Sequence, residues 1–280
     1  MPPQWVTRLS PDQRTVVSGL IGAATDVDGV TPLAEQTLLE LDRPGGHLVA
    51  DDGYAYLSGT TAEVVVRPDA RRRGIGTALV EALRSSTGGP IEIWAHGDLP
   101  AAQAFSATIG LRRSRVLRQL RRPTSAPLPG LTWPTGVAVR TFEPGRDEAA
   151  WLALNARAFA HHPEQGRWTR SDLDEREAAS WFDPAGFFLA ERDGTLAGFH
   201  WTKVHTDEAP PVGEVYVVGV DPDQAGGGLG RALTVRGLEH LRDAGLGDVL
   251  LYVDEDNPRA LTMYENLGFT SHSVDVTYVG

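Results

Sequence analysis

The sequence predicts an α/β protein built as two tandem copies of one domain, and three observations carry that reading. Residues Val66 to Leu79 read V-R-P-D-A-R-R-R-G-I-G-T-A-L, and Val220 to Leu233 read V-D-P-D-Q-A-G-G-G-L-G-R-A-L. Val66, Pro68, Asp69, Gly74, Gly76, Ala78 and Leu79 thus recur 154 positions later as Val220, Pro222, Asp223, Gly228, Gly230, Ala232 and Leu233. A second echo sets Pro100, Ala102 and Gly110 against Pro258, Ala260 and Gly268, now 158 positions apart. Between the halves, Pro123–Pro134 holds four prolines and no charged side chain, the composition of an extended linker. The expected division is a domain over residues 1–122, a linker over 123–136 and a second domain over 137–280.

The elements follow in order. Gln4–Leu9 reads as a strand, and Ser10 caps a helix that starts at Pro11. A short helix is expected over Pro32–Leu41. His47–Ala50, Tyr54–Ser58 and Ala62–Val66 read as strands, separated by the turn signals Asp51-Asp52-Gly53 and Ser58-Gly59. A helix follows Gly74, a strand covers Ile91–Ala95, a helix starts near Pro100, and Val116–Leu120 is a closing strand. In the second half, strands are expected at Val137–Phe142, Phe187–Glu191, Leu196–Val204 and Val215–Val220. A helix runs from about Leu229 to Ala244, then a strand over Val249–Val253, a helix over Arg259–Leu267 and a last strand over Val274–Val279. Val215–Val220 is nearly all apolar, as suits a strand buried on both faces. Gly226-Gly227-Gly228 is a poor helix interior and is read as the turn before the helix.

Composition narrows the chemistry. The 280 residues fit two domains of about 140. There is no cysteine, which excludes disulfides, thiolate metal sites and a cysteine nucleophile. The start lacks the basic and apolar regions of a signal peptide, and no apolar run has the length of a membrane helix, so a cytoplasmic protein is expected. Net charge is −11: residues 1–130 carry +1 and residues 131–280 carry −12. That balance speaks against a nucleic-acid partner and suits a cationic, amine-bearing one. Lys203 is the only lysine. The adjacent His161-His162 pair lacks a carboxylate at ligand spacing, and Asp254-Glu255-Asp256 lacks the oxygen spacing of a calcium loop, so no metal is expected.

A buried strand that ends in a glycine turn and opens a helix presents free backbone N–H groups and the positive end of the helix dipole. This is a phosphate-binding device. In the first copy Arg71-Arg72-Arg73 adds guanidinium groups that pair with phosphate oxygens. Neither turn continues as Gly-Lys-Ser/Thr, so it is not a P-loop, and the glycines follow a late strand, unlike a dinucleotide fold.

Arg71-x-x-Gly74-x-Gly76 resembles the pyrophosphate loop with which GCN5-related N-acetyltransferases grip coenzyme A. Asn257-Pro258-x-Ala260-x-x-x-Tyr264-Glu265-x-x-Gly268-Phe269 resembles a later helix of the same family, where Asn contacts the cofactor and Tyr sits at its sulfur. Three further stretches, Phe159–Gly166, Trp181–Phe187 and Gly213–Val220, resemble a tandem branch of that family. Its members acetylate the cysteinyl amine of a cysteine–glucosamine–inositol conjugate.

The resemblance implies a mixed central sheet flanked by helices in each copy, with acetyl-CoA as co-substrate. It implies cofactor contacts from Val64, Val65, Val66, Arg72, Arg73, Gly74, Ile75, Gly76 and Thr77 in the first copy. In the second they come from Val218, Gly219, Val220, Ala225, Gly226, Gly227, Gly228, Leu229, Gly230 and Arg231, then Asn257, Pro258, Arg259, Ala260, Leu261 and Thr262. It points to Glu35, Glu164, Lys203, Glu214 and Tyr252 for the small-molecule acceptor, with Glu35 reaching across from the first copy. Without the resemblance, each glutamate reads as an exposed charge.

Acetyl transfer from a thioester to an amine needs a neutral amine, a polarised carbonyl and a proton for the departing thiolate. An α-amino group titrates at roughly 7.7–8.0, so a modest base such as Glu214 suffices, directly or through a water. Main-chain N–H groups around Val218–Val220 can polarise the carbonyl. Tyr264, a phenol that ordinarily titrates at about 10, suits the thiolate. By the repeat offsets, Glu214 falls on Thr60, Tyr264 on Ser106 and Asn257 on Leu99. The second copy is therefore expected to be catalytic. Its loop has Ala225-Gly226-Gly227 in place of Arg71-Arg72-Arg73, which weakens the cofactor grip; Arg231 can compensate in part. The rival expectations are the same chemistry on an aminoglycoside or a peptide N-terminus, and a non-catalytic acyl-CoA sensor. A monomer is expected, because fused copies supply the paired interface within one chain.

Overall fold

A computed structural model describes residues 2–162, 165–206 and 208–280. The chain forms two compact units. Unit 1 comprises residues up to Arg118 together with Asp254–Asp256 and Ser273–Gly280; unit 2 comprises Gln119–Val253 and Asn257–His272.

Unit 1 starts with strand β1 (Gln4–Val6) and helix α1 (Pro11–Asp28). Ser10 and Gln13 close a reciprocal capping box at the start of α1, and Gly29 ends it at φ 71°. Helix α2 (Glu35–Glu40) is shorter than the sequence suggests. Strands β2 (Gly46–Ala50), β3 (Gly53–Ser58) and β4 (Thr61–Val66) form an antiparallel meander. Helix α3 (Ile75–Thr87), strand β5 (Glu92–Ala95), helix α4 (Pro100–Thr108) and strand β6 (Arg112–Pro123) follow. Strand β4 pairs β5 in parallel from Thr61↔Glu92 to Glu63↔Trp94. One core cluster, with Leu48, Leu79, Leu83 and Ile93, lies under α3 and α4. Another, with Val17, Leu20, Leu33 and Tyr54, lies under α1 and α2.

In unit 2, strand β7 (Val137–Thr141) precedes helices α5 (Glu148–Ala158) and α6 (Arg170–Glu177), two elements the sequence reading leaves out. Strands β8 (Phe187–Arg192), β9 (Thr195–His205) and β10 (Val212–Val220) then form a second antiparallel meander. Helix α7 (Leu229–Asp243), strand β11 (Asp248–Asp254), helix α8 (Pro258–Asn266) and strand β12 (Thr270–Val279) complete the chain. Beneath α5 and α6, Trp151, Phe187, Phe199 and Trp201 are fully buried, each contributing about 2–3 kcal/mol of transfer free energy. On the opposite face, α7 and α8 cover Val215, Leu238, Val249 and Tyr264. Gly237 lets α7 approach β9, since a Cβ there would stand 2.1 Å from the His200 ring.

The units depart from the expected boundaries in two ways. Strand β6 passes from unit 1 to unit 2 at Gln119, and β12 passes from unit 2 to unit 1 at Ser273. Within unit 1, β12 pairs β5 from Val276↔Ala95 to Val279↔Glu92, so the last residues of the chain pair with a strand of the first copy. The proline-rich segment is likewise part of a unit and no free tether. Leu128 and Leu131 pack on the α7/α8 core and Trp133 packs beside Leu229 and Leu233. The segment has the composition of an extended chain, but its apolar side chains find a surface to cover.

Candidate active site

The site of unit 2 is built where β10 and β11 part. Their parallel ladder joins only Gly213↔Val249 and Glu214↔Leu250. Beyond it, β10 bulges at Tyr216, between the registered Val215 and Val217. A bulge bends its strand and re-aims the next side chains. Val218, Gly219 and Val220 pair with β9 on one side, leaving their groups on the β11 side without a ladder partner.

Glu214 is buried at the last rung of that ladder. Its Oε2 accepts a hydrogen bond from His205 Nε2 at 2.7 Å. Lys203 stands directly opposite on β9 and is equally buried. Its ammonium lies 5.0 Å from the Trp181 ring centre and 5.7 Å from that of Tyr216. Arg176 of α6 stacks over Trp168 at 3.9 Å and donates from Nε to the Tyr216 hydroxyl at 2.9 Å. The alternation of strand side chains puts Lys203, Glu214 and Tyr216 on the α5/α6 face. Tyr252 of β11 is half-exposed, and its hydroxyl accepts from Gln119 Nε2 at 2.6 Å.

Tyr264 lies on the other face, under α8, edge-on to Phe269 at 5.8 Å. Burial pushes its phenol above the ordinary value of 10, so it is held protonated throughout the neutral range. The sheet thus separates a carboxylate from a phenol, and the gap between β10 and β11 is where a ligand can meet both.

The glycine turn lies beyond the same strand. Gly226, Gly227 and Gly228 all have positive φ (117°, 60° and 85°), a run of backbone that side-chain-bearing residues rarely adopt. Gly228 caps α7, whose first N–H groups have no intrahelical acceptor. Ala225 to Gly228 and Arg231 are exposed. A cavity of about 180 Å³ separates this turn and Arg231 from Gly130–Pro134. Asn257 caps α8, its Oδ1 accepting from Ala260 N at 3.1 Å, which leaves its amide N–H groups for a ligand. Pro258 occupies the first helical position and Thr262 bonds back to its carbonyl.

Unit 1 holds Glu35 as the exposed first residue of α2, and the Val64–Val66 and Arg72–Thr77 stretches at the end of β4 and the start of α3. Arg71 and Arg73 of its turn are engaged internally, while Arg72 is exposed. Arg71 grips Asp28 through both terminal nitrogens, at 2.8 and 2.5 Å, and donates from Nε to the Val66 carbonyl. Arg73 donates to the Asp69 carbonyl. Glu164 lies outside the described residues. No cluster of three or more potential metal ligands occurs among the described residues, and none of their helices is long and apolar enough to cross a membrane.

Sequence reasoning missed His205, Arg176 and the aromatic walls around Lys203. The signal for His205 was present: Lys203-Val204-His205 puts a histidine and a lysine on one face of a strand that pairs with the strand of Glu214.

A parallel pair, β10 and β11, that parts ahead of a glycine turn opening a helix is the arrangement expected of an acetyltransferase, and comparison with known proteins bears this out. A sequence profile of the acetyltransferase (GNAT) family matches residues 151–269, within the second copy, and enzymes of this family use acetyl-CoA as co-substrate. A solved tandem GNAT protein from the clavulanic acid biosynthesis pathway shares the fold, with a TM-score of 0.72 at 20% identity. The match covers 99% of this chain and 98% of that one. The mycothiol acetyltransferase of Thermomonospora curvata is 58% identical over 96% of this chain and 94% of its own. That of Thermobispora bispora is 55% identical over 97% of both. The chain belongs to the mycothiol acetyltransferase family.

Proposed function

We propose that the second copy transfers the acetyl group of acetyl-CoA to the cysteinyl amine of a cysteine–glucosamine–inositol conjugate, giving mycothiol. The observation that carries this reading is the buried Glu214 on the last rung before β10 and β11 part, with the Tyr264 phenol on the opposite face. The N–H groups of the first turn of α7 receive the diphosphate, and Asn257 adds its amide. The thioester lies in the gap, its carbonyl polarised by main-chain N–H groups around Val218–Val220. Glu214 takes the amine proton, directly or through one water, as the nitrogen attacks. The N–C bond forms, the C–S bond breaks, and Tyr264 gives its proton to the departing thiolate. The acetyl group passes directly, since the chain has no cysteine to carry it.

Lys203, Glu214 and Tyr252 of unit 2 hold the acceptor. The buried Lys203 ammonium opposite Glu214 disfavours a second cation, which keeps the incoming amine neutral and nucleophilic. The first copy is the non-catalytic one, which binds coenzyme A without turnover or supports the fold. The enzyme is proposed to be a cytoplasmic monomer, with no nucleic-acid or membrane partner.

The test is turnover of acetyl-CoA by the full chain with a panel of amines. Acetylation of the cysteinyl conjugate in preference to aminoglycosides and peptide N-termini is expected. Binding of coenzyme A by calorimetry without turnover of any amine would instead mean an acyl-CoA sensor.

A further inference from the structure

We infer that His205 is a positioning residue for acetyl transfer: it holds one oxygen of the Glu214 carboxylate so that the other is left to take the amine proton. The inference rests on the proposed role of Glu214 as base.

The geometry is specific. On β9, His205 opposes Val212 and Lys203 opposes Glu214, so His205 and Glu214 are diagonal neighbours on one face of an antiparallel pair. The separation from Nε2 to Oε2 is 2.7 Å, and both side chains are largely buried, at 15% and 9% exposed. An ionised carboxylate only accepts hydrogen bonds, so Nε2 carries the proton in this contact. A carboxylate on a flexible side chain otherwise rotates about its last torsion, which is broad for glutamate. Pinning Oε2 leaves Oε1 as the free basic atom in a fixed place, the preorganisation that a proton transfer in the transition state rewards.

The surroundings explain why a second group is needed. Lys203 faces Glu214 from β9, Tyr216 lies two residues along β10, Tyr252 stands on β11, and Arg176 of α6 holds the Tyr216 hydroxyl. Lys203 is the residue opposite Glu214 in the β9–β10 register, with its ammonium beside the Trp181 and Tyr216 rings. The bond from His205 sets the direction of the carboxylate independently of Lys203.

The test compares His205→Ala, His205→Phe and His205→Gln in the full chain, with Glu214→Gln as reference. The Ala and Phe variants should lose about tenfold in kcat, with the KM for acetyl-CoA unchanged. The Gln variant, whose amide N–H can replace the bond, should recover most of the rate. In the Glu214→Gln background, His205→Ala should cost nothing more. Unchanged kcat in His205→Ala, while Glu214→Gln is inactive, would overturn the inference and leave the base intact. Equal loss in all three His205 variants, tracking a fall in melting temperature, would make His205 a plain structural residue and overturn it too. Full activity of Glu214→Gln would instead remove the base itself.

Discussion

Unit 1 and unit 2 each end a central strand in a glycine of positive φ and open a helix from it, yet they use their side chains in opposite ways. In unit 1 the arginines around the turn satisfy their own domain, Arg71 on Asp28 and Arg73 on a carbonyl. In unit 2 the turn has no arginine before Gly228, and its exposed backbone and Arg231 remain available. The buried carboxylates of the two ladders differ in how many donors they hold. Glu63, on the last rung of the β4–β5 ladder, takes two donors on Oε1, from Ala34 N and from His96 Nε2, and its Oε2 has no partner among the described residues. Glu214, on the last rung of the β10–β11 ladder, takes one, from His205 Nε2. A duplicated fold can therefore retain the cradle in both copies while one copy turns its polar groups inward for stability.

The largest effect expected from breaking this asymmetry is at the phenol. Tyr264→Phe should lower kcat about a hundredfold with little change in acetyl-CoA affinity, whereas Ser106→Ala, at the equivalent position of unit 1, should leave the rate alone. Single-turnover kinetics and calorimetry check both; equal loss of rate and affinity in Tyr264→Phe would make the residue a packing element.

Next in size is a pH effect confined to unit 1. His96 lies between Glu63 and Asp275, with Nε2 2.8 Å from one carboxylate and Nδ1 3.2 Å from the other. Burial disfavours its cation, but the bonds to Asp275 and Glu63 outweigh burial and raise it to about 9. The folded value exceeds the unfolded one of about 6.5, so the stabilisation is full below that pH and is lost as pH rises through about 9. Thermal melting between pH 6 and 10 should show a loss of about 2 kcal/mol, and His96→Gln should flatten that dependence. A smaller effect is expected at the unit 1 turn. Arg71→Ala should cost about 1 kcal/mol of stability through the loss of its pair with Asp28, and should not change acetyl-CoA affinity. Weakened binding with unchanged melting would show that Arg71 serves a ligand after all.

Much of this fold is legible without coordinates. Strands expected at His47–Ala50, Tyr54–Ser58 and Phe187–Glu191, from β-branched and aromatic runs between turn residues, lie within one residue of the observed ones, and the two glycine turns follow from residues that only a left-handed backbone demands. Helices α5 and α6 escaped because their patterns are weak: α5 buries Glu148 and Asn155 beside Trp151 and Leu154, and α6 buries only Leu173. The proline-rich stretch read as a tether because composition reports chain stiffness and says nothing of whether Leu128, Leu131 and Trp133 meet a surface.

The sequence by itself determined the duplication and the glycine turns, because each is a matter of which residue stands at which spacing. Tertiary structure alone decided that β12 ends in the first sheet, that Arg71 is already engaged, and that His205 meets Glu214. Those outcomes depend on strand register and on contacts between residues far apart in the chain. Local spacing carries no record of either, because a strand can pair in several registers until the packed core selects one.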